Sequence, residues 1–165
     1  MVYIKKYQTP SEFSNIYLSS DGTYLKGLWF ETLSTKEKDY NISKDEEIEI
    51  FKEVTTWLDI YFSGESPKFI PKYKLENLTP FREEVTNIIC KIPYGKTITY
   101  NDIAKEIAKK RNIKKMSAQA VGQAVGKNPI CLIIPCHRVI GTNNKMIGYS
   151  GGINNKIKLL ELEQK

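Results

Sequence analysis

One histidine, His137, stands in 165 residues, and the three cysteines, Cys90, Cys131 and Cys136, are an odd number. An odd, sparse set of thiols does not build a disulfide framework and suits a reducing compartment. The five-residue step from Cys131 to Cys136 and the isolated Cys90 match no zinc-knuckle spacing, so no metal site is expected. Long apolar runs are also missing. The aliphatic stretches are far too short to span a bilayer, and Met1 to Lys6 lacks the apolar core of a signal peptide. These absences suit a cytoplasmic protein with no membrane contact. A monomer that uses no cofactor is expected alongside.

The 41% apolar content is ordinary for a globular chain. The net charge of +6 is unevenly placed. Residues 1–78 carry 10 Lys and Arg against 13 Asp and Glu, whereas residues 79–165 carry 15 against 6. Positive charge confined to one half keeps that half soluble, and it is also what a surface that meets phosphate backbones requires.

The first half reads as strands followed by a helix. Val2 to Tyr7, Ile16 to Ser19 and Thr23 to Phe30 are rich in β-branched and aromatic residues, and Asp21-Gly22 is a hairpin turn signal. Ser43 with Glu46 forms a capping box, Asp45, Glu46 and Glu47 favour the first turn, and Ile48, Phe51, Thr55, Leu58 and Phe62 recur at helical spacing until Gly64. Glu65 to Leu78 shows no sustained period and reads as a linker with one returning edge strand.

The second half reads as helices. Thr79-Pro80 is an N-cap with proline at the first helical position, ahead of an apolar stripe Phe81, Val85, Ile88, Ile89, Ile92 that stops at Pro93-Tyr94-Gly95. Thr99 with Asp102 caps the next helix, which turns Ile103 and Ile107 inward. A basic loop, Lys109 to Lys115, leads to a third helix, Ala118 to Val125, capped by Ser117 and ended by Gly126. The two short helices make a helix-turn-helix candidate. The side chains of the second, Ala118-Gln119-Ala120-Val121-Gly122-Gln123, are small enough for close approach to another helix or to a nucleic-acid groove.

His137 directly follows Cys136 in Ile133-Ile134-Pro135-Cys136-His137-Arg138-Val139-Ile140. A thiol becomes a strong nucleophile when something shifts it toward thiolate, and imidazole is the usual agent. This run reads as a reactive centre.

Together, Ile92-Pro93-Tyr94-Gly95-Lys96, Thr99-Tyr100, Ala120-Val121-Gly122, Asn128-Pro129, Ile133-Ile134-Pro135-Cys136-His137-Arg138-Val139 and Gly148-Tyr149-Ser150-Gly151-Gly152 resemble, in order, the O6-alkylguanine-DNA alkyltransferase (methylated-DNA–protein-cysteine methyltransferase) family. The resemblance implies an α+β fold. Residues 1–78, including the linker, would be an N-terminal ribonuclease-H-like β-sheet and helix domain that supports the other. Residues 79–165 would be a helical domain with a DNA-binding helix-turn-helix and the alkyl-transfer site.

It also implies roles. Cys136 would accept the alkyl group, His137 would act as base through a water, and Glu163 would hold His137, with Glu161 a competitor for that place. Asn128 would shape the hinge, and Tyr100 would hydrogen-bond the extruded base. Ser150 would meet the substrate oxygen through its main-chain N–H, and Tyr149 and Val139 would complete the pocket. Gln119, Ala118, Ala120, Gly122 and Gln123 would face DNA. The partner implied is double-stranded DNA containing O6-alkylguanine, with O4-alkylthymine a second candidate substrate.

Two positions depart from the family pattern. Gln119 stands where many members place an arginine that fills the gap behind the extruded base, and Gln123 where some have glycine. A non-catalytic alkylated-DNA binder of the alkyltransferase-like type shares the fold but lacks the acceptor thiol, which Cys136 supplies. A cysteine hydrolase needs a histidine from a separate element, and a plain helix-turn-helix regulator leaves the Cys-His run unexplained.

Overall fold

The computed structural model of the chain describes residues 2–32 and 48–165. The expected capping box of Ser43 and Glu46, with Asp45 and Glu47, lies outside the described residues.

Strands β1 (Tyr3–Tyr7), β2 (Ile16–Ser20) and β3 (Leu25–Phe30) form an antiparallel sheet in that order. Tyr3 pairs with Ser20, Tyr7 with Ile16, and Ile16 with Phe30. Asp21 makes the expected turn: its carboxylate accepts from the amides of Thr23 and Tyr24 at 2.9 and 2.8 Å. The β2 residues Ile16, Tyr17 and Leu18 are all fully buried. Such burial on both faces marks the centre of a sheet covered from two sides.

One cover is helix α1 (Glu49–Phe62), which buries Ile50, Phe51, Val54, Trp57, Leu58 and Tyr61. This face differs from the expected stripe at three of its five positions. Ile48, Thr55 and Phe62 are only half-buried; Phe62 packs at the rim against Tyr7 and Phe13, with ring centroids 6.2 and 5.1 Å away. A helix pressed between a sheet and a second layer buries a face wider than a single i, i+3, i+4 row. Gly64, at φ 94, ends α1 as expected.

Residues 65–78, expected as a linker with one returning edge strand, hold no helix and no strand longer than a single bridge. Tyr73 makes a single bridge to Leu25, whose amide donates to the Lys72 carbonyl at 2.9 Å.

Helices α2 (Pro80–Cys90), α3 (Tyr100–Lys110) and α4 (Ala118–Gly126) begin at the expected caps. Thr79, Thr99 and Ser117 each accept from a backbone amide of the first turn, and Thr99 with Asp102 forms a full capping box. Helix α4 runs one residue beyond the expected end. Helix α5 (Ile153–Glu163) closes the chain.

Two connections tie the halves together. On the sheet side, Leu28 donates to the Pro129 carbonyl and accepts from the Cys131 amide, both at 2.9 Å, so the segment leading to Cys136 lies along β3. Beyond Cys136, the two-residue strands β4 (Ile98–Thr99) and β5 (Val139–Ile140) pair in parallel. A reading of the second half as helices alone misses this ladder. The buried apolar residues form one continuous core that includes β2, α1, α2, α3 and the Ile130 to Val139 segment.

Gly151 sits at a tightly packed point of the structure. A Cβ there would lie 2.7 Å from the Tyr149 ring and 2.8 Å from the Phe30 ring, whereas at Gly126 it would meet nothing within 4 Å. We expect Gly151→Ala to destabilise by about 1–3 kcal/mol through overpacking, and Gly126→Ala to stabilise by roughly 0.4–1 kcal/mol by restricting the unfolded chain. Urea unfolding of the two variants beside the parent measures both signs.

Candidate active site

The segment before Cys136 is bent back on itself by polar contacts. The Asn128 side chain donates to the carbonyls of Ile130 and Ile134, both at 3.1 Å, and accepts from the Ile130 amide at 3.1 Å. Inside that clamp the Ile133 amide donates to the Cys131 carbonyl at 2.8 Å. This closes a three-residue turn whose apex, Leu132, is held at φ 69. A left-handed conformation in a buried leucine costs on the order of 1–3 kcal/mol and persists only where its surroundings enforce it. Pro135 then leads into a single 3-10 turn, Cys136–Arg138.

All three residues of that turn are buried, and His137 is inaccessible. Its Nε2 lies 2.5 Å from Glu163 Oε2, which also accepts from the Tyr61 hydroxyl at 2.6 Å. The other oxygen, Oε1, accepts from Arg138 Nε at 2.8 Å and from the Gly95 amide at 3.0 Å. Arg138 further donates to the Ile92 carbonyl at 2.9 Å and lies over the Tyr94 ring. Glu163, the expected partner of His137, fills that place, and its competitor Glu161 is exposed.

Burial opposes charge on Glu163, but the hydrogen bonds from His137 and Arg138 and the charge of Arg138 outweigh it and hold the carboxyl at about 2. His137 moves the other way from its usual effect beside a carboxylate: burial lowers its pKa more than Glu163 raises it. The imidazole is therefore neutral at pH 7. Because Glu163 only accepts, the ring proton belongs on Nε2, which leaves Nδ1 as the basic nitrogen. That Nδ1 is buried and bonded to no other protein atom.

The Cys131 thiol beside Cys136 is the largest influence on the acceptor sulfur. With help from Asn128 and the Lys156 charge, it pulls Cys136 below the ordinary thiol range against burial. Lys156 is fully buried and donates from Nζ to the carbonyls of Val139 at 2.5 Å and Ile147 at 3.0 Å, between the rings of Tyr100 and Tyr149. Burial pushes its ammonium down to about 8, against the attraction of Cys136.

The expected substrate and DNA residues fall into three places. Tyr100, Ala118, Gln119, Gly122 and Gln123 line a cavity of about 470 Å³. Gln119 and Gln123 are exposed, Ala118, Ala120 and Gly122 half-buried, and the Tyr100 hydroxyl donates to the Ile147 carbonyl at 3.1 Å. Cys136, Val139 and Tyr149 are buried in the core. Ser150 and Asn128 instead line a second cavity, about 530 Å³, with Cys131 and β3. Among the described residues no three His, Cys, Asp or Glu side chains are arranged to hold a metal ion, and no helix is long and apolar enough to cross a membrane.

Sequence reasoning gave no role to Tyr61, Arg138 or Lys156. Tyr61 comes from a distant helix and carries no local signal. For Lys156 the signal exists: Lys156, Leu159, Leu160 and Glu163 share one buried face of α5, and charged residues on such a face need partners.

Residues 80–165 match the family model described as 6-O-methylguanine DNA methyltransferase, DNA binding domain. The methylated-DNA–protein-cysteine methyltransferase of Methanosarcina mazei is 41% identical over 152 residues, 90% of each chain. That of Mycobacterium leprae is 43% identical over 114 residues, 69% of this chain and 66% of that one. Among solved structures, Mycobacterium tuberculosis O6-methylguanine methyltransferase superposes with a TM-score of 0.80 at 35% identity, covering 99% of this chain and 93% of that one. The same organism's OGT in complex with DNA gives 0.77 at 34% identity, covering 98% and 92%. An intact Pro135-Cys136-His137-Arg138 turn, the partners of its histidine, and these matches in sequence and fold agree: the chain belongs to the methylated-DNA–protein-cysteine methyltransferase family.

Proposed function

We propose that this chain repairs DNA by transferring the alkyl group of O6-alkylguanine to Cys136, irreversibly and once per molecule. The observation that carries this reading is the acceptor thiol beside a neutral histidine whose Nε2 is tied to Glu163 and whose Nδ1 is left as a base. In the reaction His137 takes the Cys136 proton through a water, and the thiolate attacks the alkyl carbon in line. The S–C bond forms, the C–O6 bond breaks with its electron pair going to the base, and the base takes up one proton. A soft thiolate suits an sp3 carbon, and the resulting thioether is not hydrolysed under mild conditions, so the protein is consumed.

The target atom lies inside the duplex, so the base must leave the stack. Helices α3 and α4 act as the helix-turn-helix. Ala118, Ala120, Gly122 and Gln123 meet the groove, and Gln119 enters the gap left by the base. Tyr100, Tyr149, Val139 and the Ser150 amide receive the base, and Asn128 sets the hinge behind them. Cys136 is buried in the present conformation, so entry displaces the Ile147-Gly148 segment from Tyr100. Residues 1–78 serve as the ribonuclease-H-like support and 79–165 as the transfer domain, with Tyr61 reaching across.

With substrate in excess, repaired base should plateau at one per active protein, and Cys136→Ser should bind alkylated duplex yet transfer nothing. Linear turnover beyond the plateau, or transfer by Cys136→Ser, contradicts the assignment; so would a wild-type protein that binds without transfer, as an alkyltransferase-like binder does.

Glu163→Gln should slow transfer far more than Glu161→Gln and destabilise by about 3 kcal/mol or more, since it leaves Arg138 buried without its counter-charge. The carboxyl titrates at about 2 in the folded chain, against 4.5 for a free glutamate side chain. Its stabilisation is therefore present above about 4.5 and lost as pH falls toward 2, so the stability gap between parent and variant should narrow on acidification. Urea midpoints across that range check the sign.

Gln119→Arg should speed transfer on duplex substrate, because guanidinium adds a stacking plane and a charge near phosphates. On free O6-benzylguanine, which needs no extrusion, it should change nothing. Equal shifts in both rates, measured side by side, would place Gln119 in the pocket instead.

A further inference from the structure

The turn that joins α3 to α4 carries more positive charge than its own fold uses. Residues 105–115 hold six Lys and Arg against one acid, Glu106. Two of the six are already committed: Lys110 Nζ lies 3.7 Å from Glu106, and Arg111 binds Glu84 on α2. The other four, Lys105, Lys109, Lys114 and Lys115, are exposed, and none makes an ion pair with a described residue. These same four line one groove of about 420 Å³, which neither Lys110 nor Arg111 lines. The backbone builds that groove. With Asn112 left-handed at φ 53, the Ile113 amide donates back to the Ala108 carbonyl at 3.0 Å, and the Asn112 amide to the Lys109 carbonyl at 3.2 Å. This double closure ends α3 and turns the chain back, so the groove lies between α3 and the returning loop, with Ala104 and Ala108 in its lining.

We propose that this groove holds the sugar-phosphate backbone of one DNA strand beside the lesion, so that Lys105, Lys109, Lys114 and Lys115 anchor the duplex on one flank of the extruded base. The inference rests on the reading that α3 and α4 meet duplex DNA.

Size and charge fit that occupant. From Asn101 to Ala108 the helix rises about 10 Å, and a DNA strand offers a phosphate roughly every 3.4 Å of its axis, so about three phosphates pass along the groove. The alanines and the exposed Ile113 give the sugars an apolar surface. Position decides for DNA over an acidic peptide. Asn101 lines this groove and also the 470 Å³ cavity that holds Tyr100 and Gln119, so the two adjoin. The returning loop runs directly into Ser117, the cap of α4. A strand that meets α4 therefore continues over the lysines. Lysine is a flexible point charge, so these contacts position the duplex without reading its sequence.

The test measures duplex affinity against salt for the full chain, for a groove variant (Lys109→Gln, Lys114→Gln, Lys115→Gln) and for a linker variant of equal charge (Lys68→Gln, Lys72→Gln, Lys74→Gln), with thermal unfolding of each. In the groove variant the slope of log affinity against log salt should fall by about 2–3, and binding at physiological salt should weaken by roughly tenfold or more. The linker variant should keep the parent's slope. Trimming the duplex close to the lesion on one flank should cost the parent what the three substitutions cost and leave the groove variant indifferent; on the other flank, trimming should affect both proteins alike. A parental slope in the groove variant overturns the proposal and leaves the groove to another partner, such as an acidic peptide. An equal loss in the linker variant, or equal sensitivity to both flanks, means a diffuse field and overturns it too. Should the groove variant not fold, Lys114→Gln alone decides, with a slope lowered by about one in support and an unchanged slope against. If the parent takes no benzyl group from free O6-benzylguanine, the alkyl-transfer reading fails and the slopes still test the groove; a parent that binds no duplex overturns the groove itself.

Discussion

A carboxylate taken out of water must have its oxygens supplied with donors, and Glu163 is supplied from four directions. Tyr61 reaches it from α1, Gly95 from the turn before β4, and His137 and Arg138 from the reactive turn, while Glu163 itself ends α5. Chain segments from both halves thus converge on two oxygen atoms. Removing one partner from such a set costs far more than the pair gains when intact, because what remains is a buried charge without its complement. The same arrangement fixes the tautomer of the one histidine. Stability and chemistry therefore depend on the same contact: burial keeps the imidazole neutral, and with Nε2 committed to Glu163 its basic nitrogen is Nδ1.

A second charge lies on the far side of the acceptor. Lys156 holds the carbonyls of Val139 and Ile147, which places a buried ammonium behind the pocket wall and near the sulfur. With the Lys156 charge and the Asn128 side chain among its influences, the Cys136 thiol is favoured as an anion although it is buried. Cys131 completes this environment from the sheet side. The strained turn at Leu132 is a local cost borne by the clamp of Asn128 and by the pairing with Leu28.

Much of this was legible in the sequence because it is written in local chemistry. Thr79-Pro80, Thr99 with Asp102 and Ser117 each start a helix where their side chains can accept from the first turn, and Asp21-Gly22 makes its turn for the same reason. The reactive turn stood out because cysteine and histidine were so scarce. What stayed hidden depends on distant partners. The β4–β5 ladder has two residues per strand, too few for any periodicity, and Pro129 to Cys131 joins β3 through backbone atoms that no side chain announces. The inward face of α1 was misplaced because a helix covered on two sides does not follow one stripe. Tyr61 belongs to that face, and its hydroxyl matters only once α5 delivers Glu163.

The central claim is that Cys136 becomes covalently alkylated by DNA. Incubation with an oligonucleotide duplex containing one O6-methylguanine, followed by intact mass and peptide mapping, tests it directly. The account predicts a gain of one methylene unit per protein, located on Cys136, with guanine restored in the DNA. An unchanged protein mass beside intact, bound O6-methylguanine, or a methyl group on Cys90 or Cys131 instead, would contradict it.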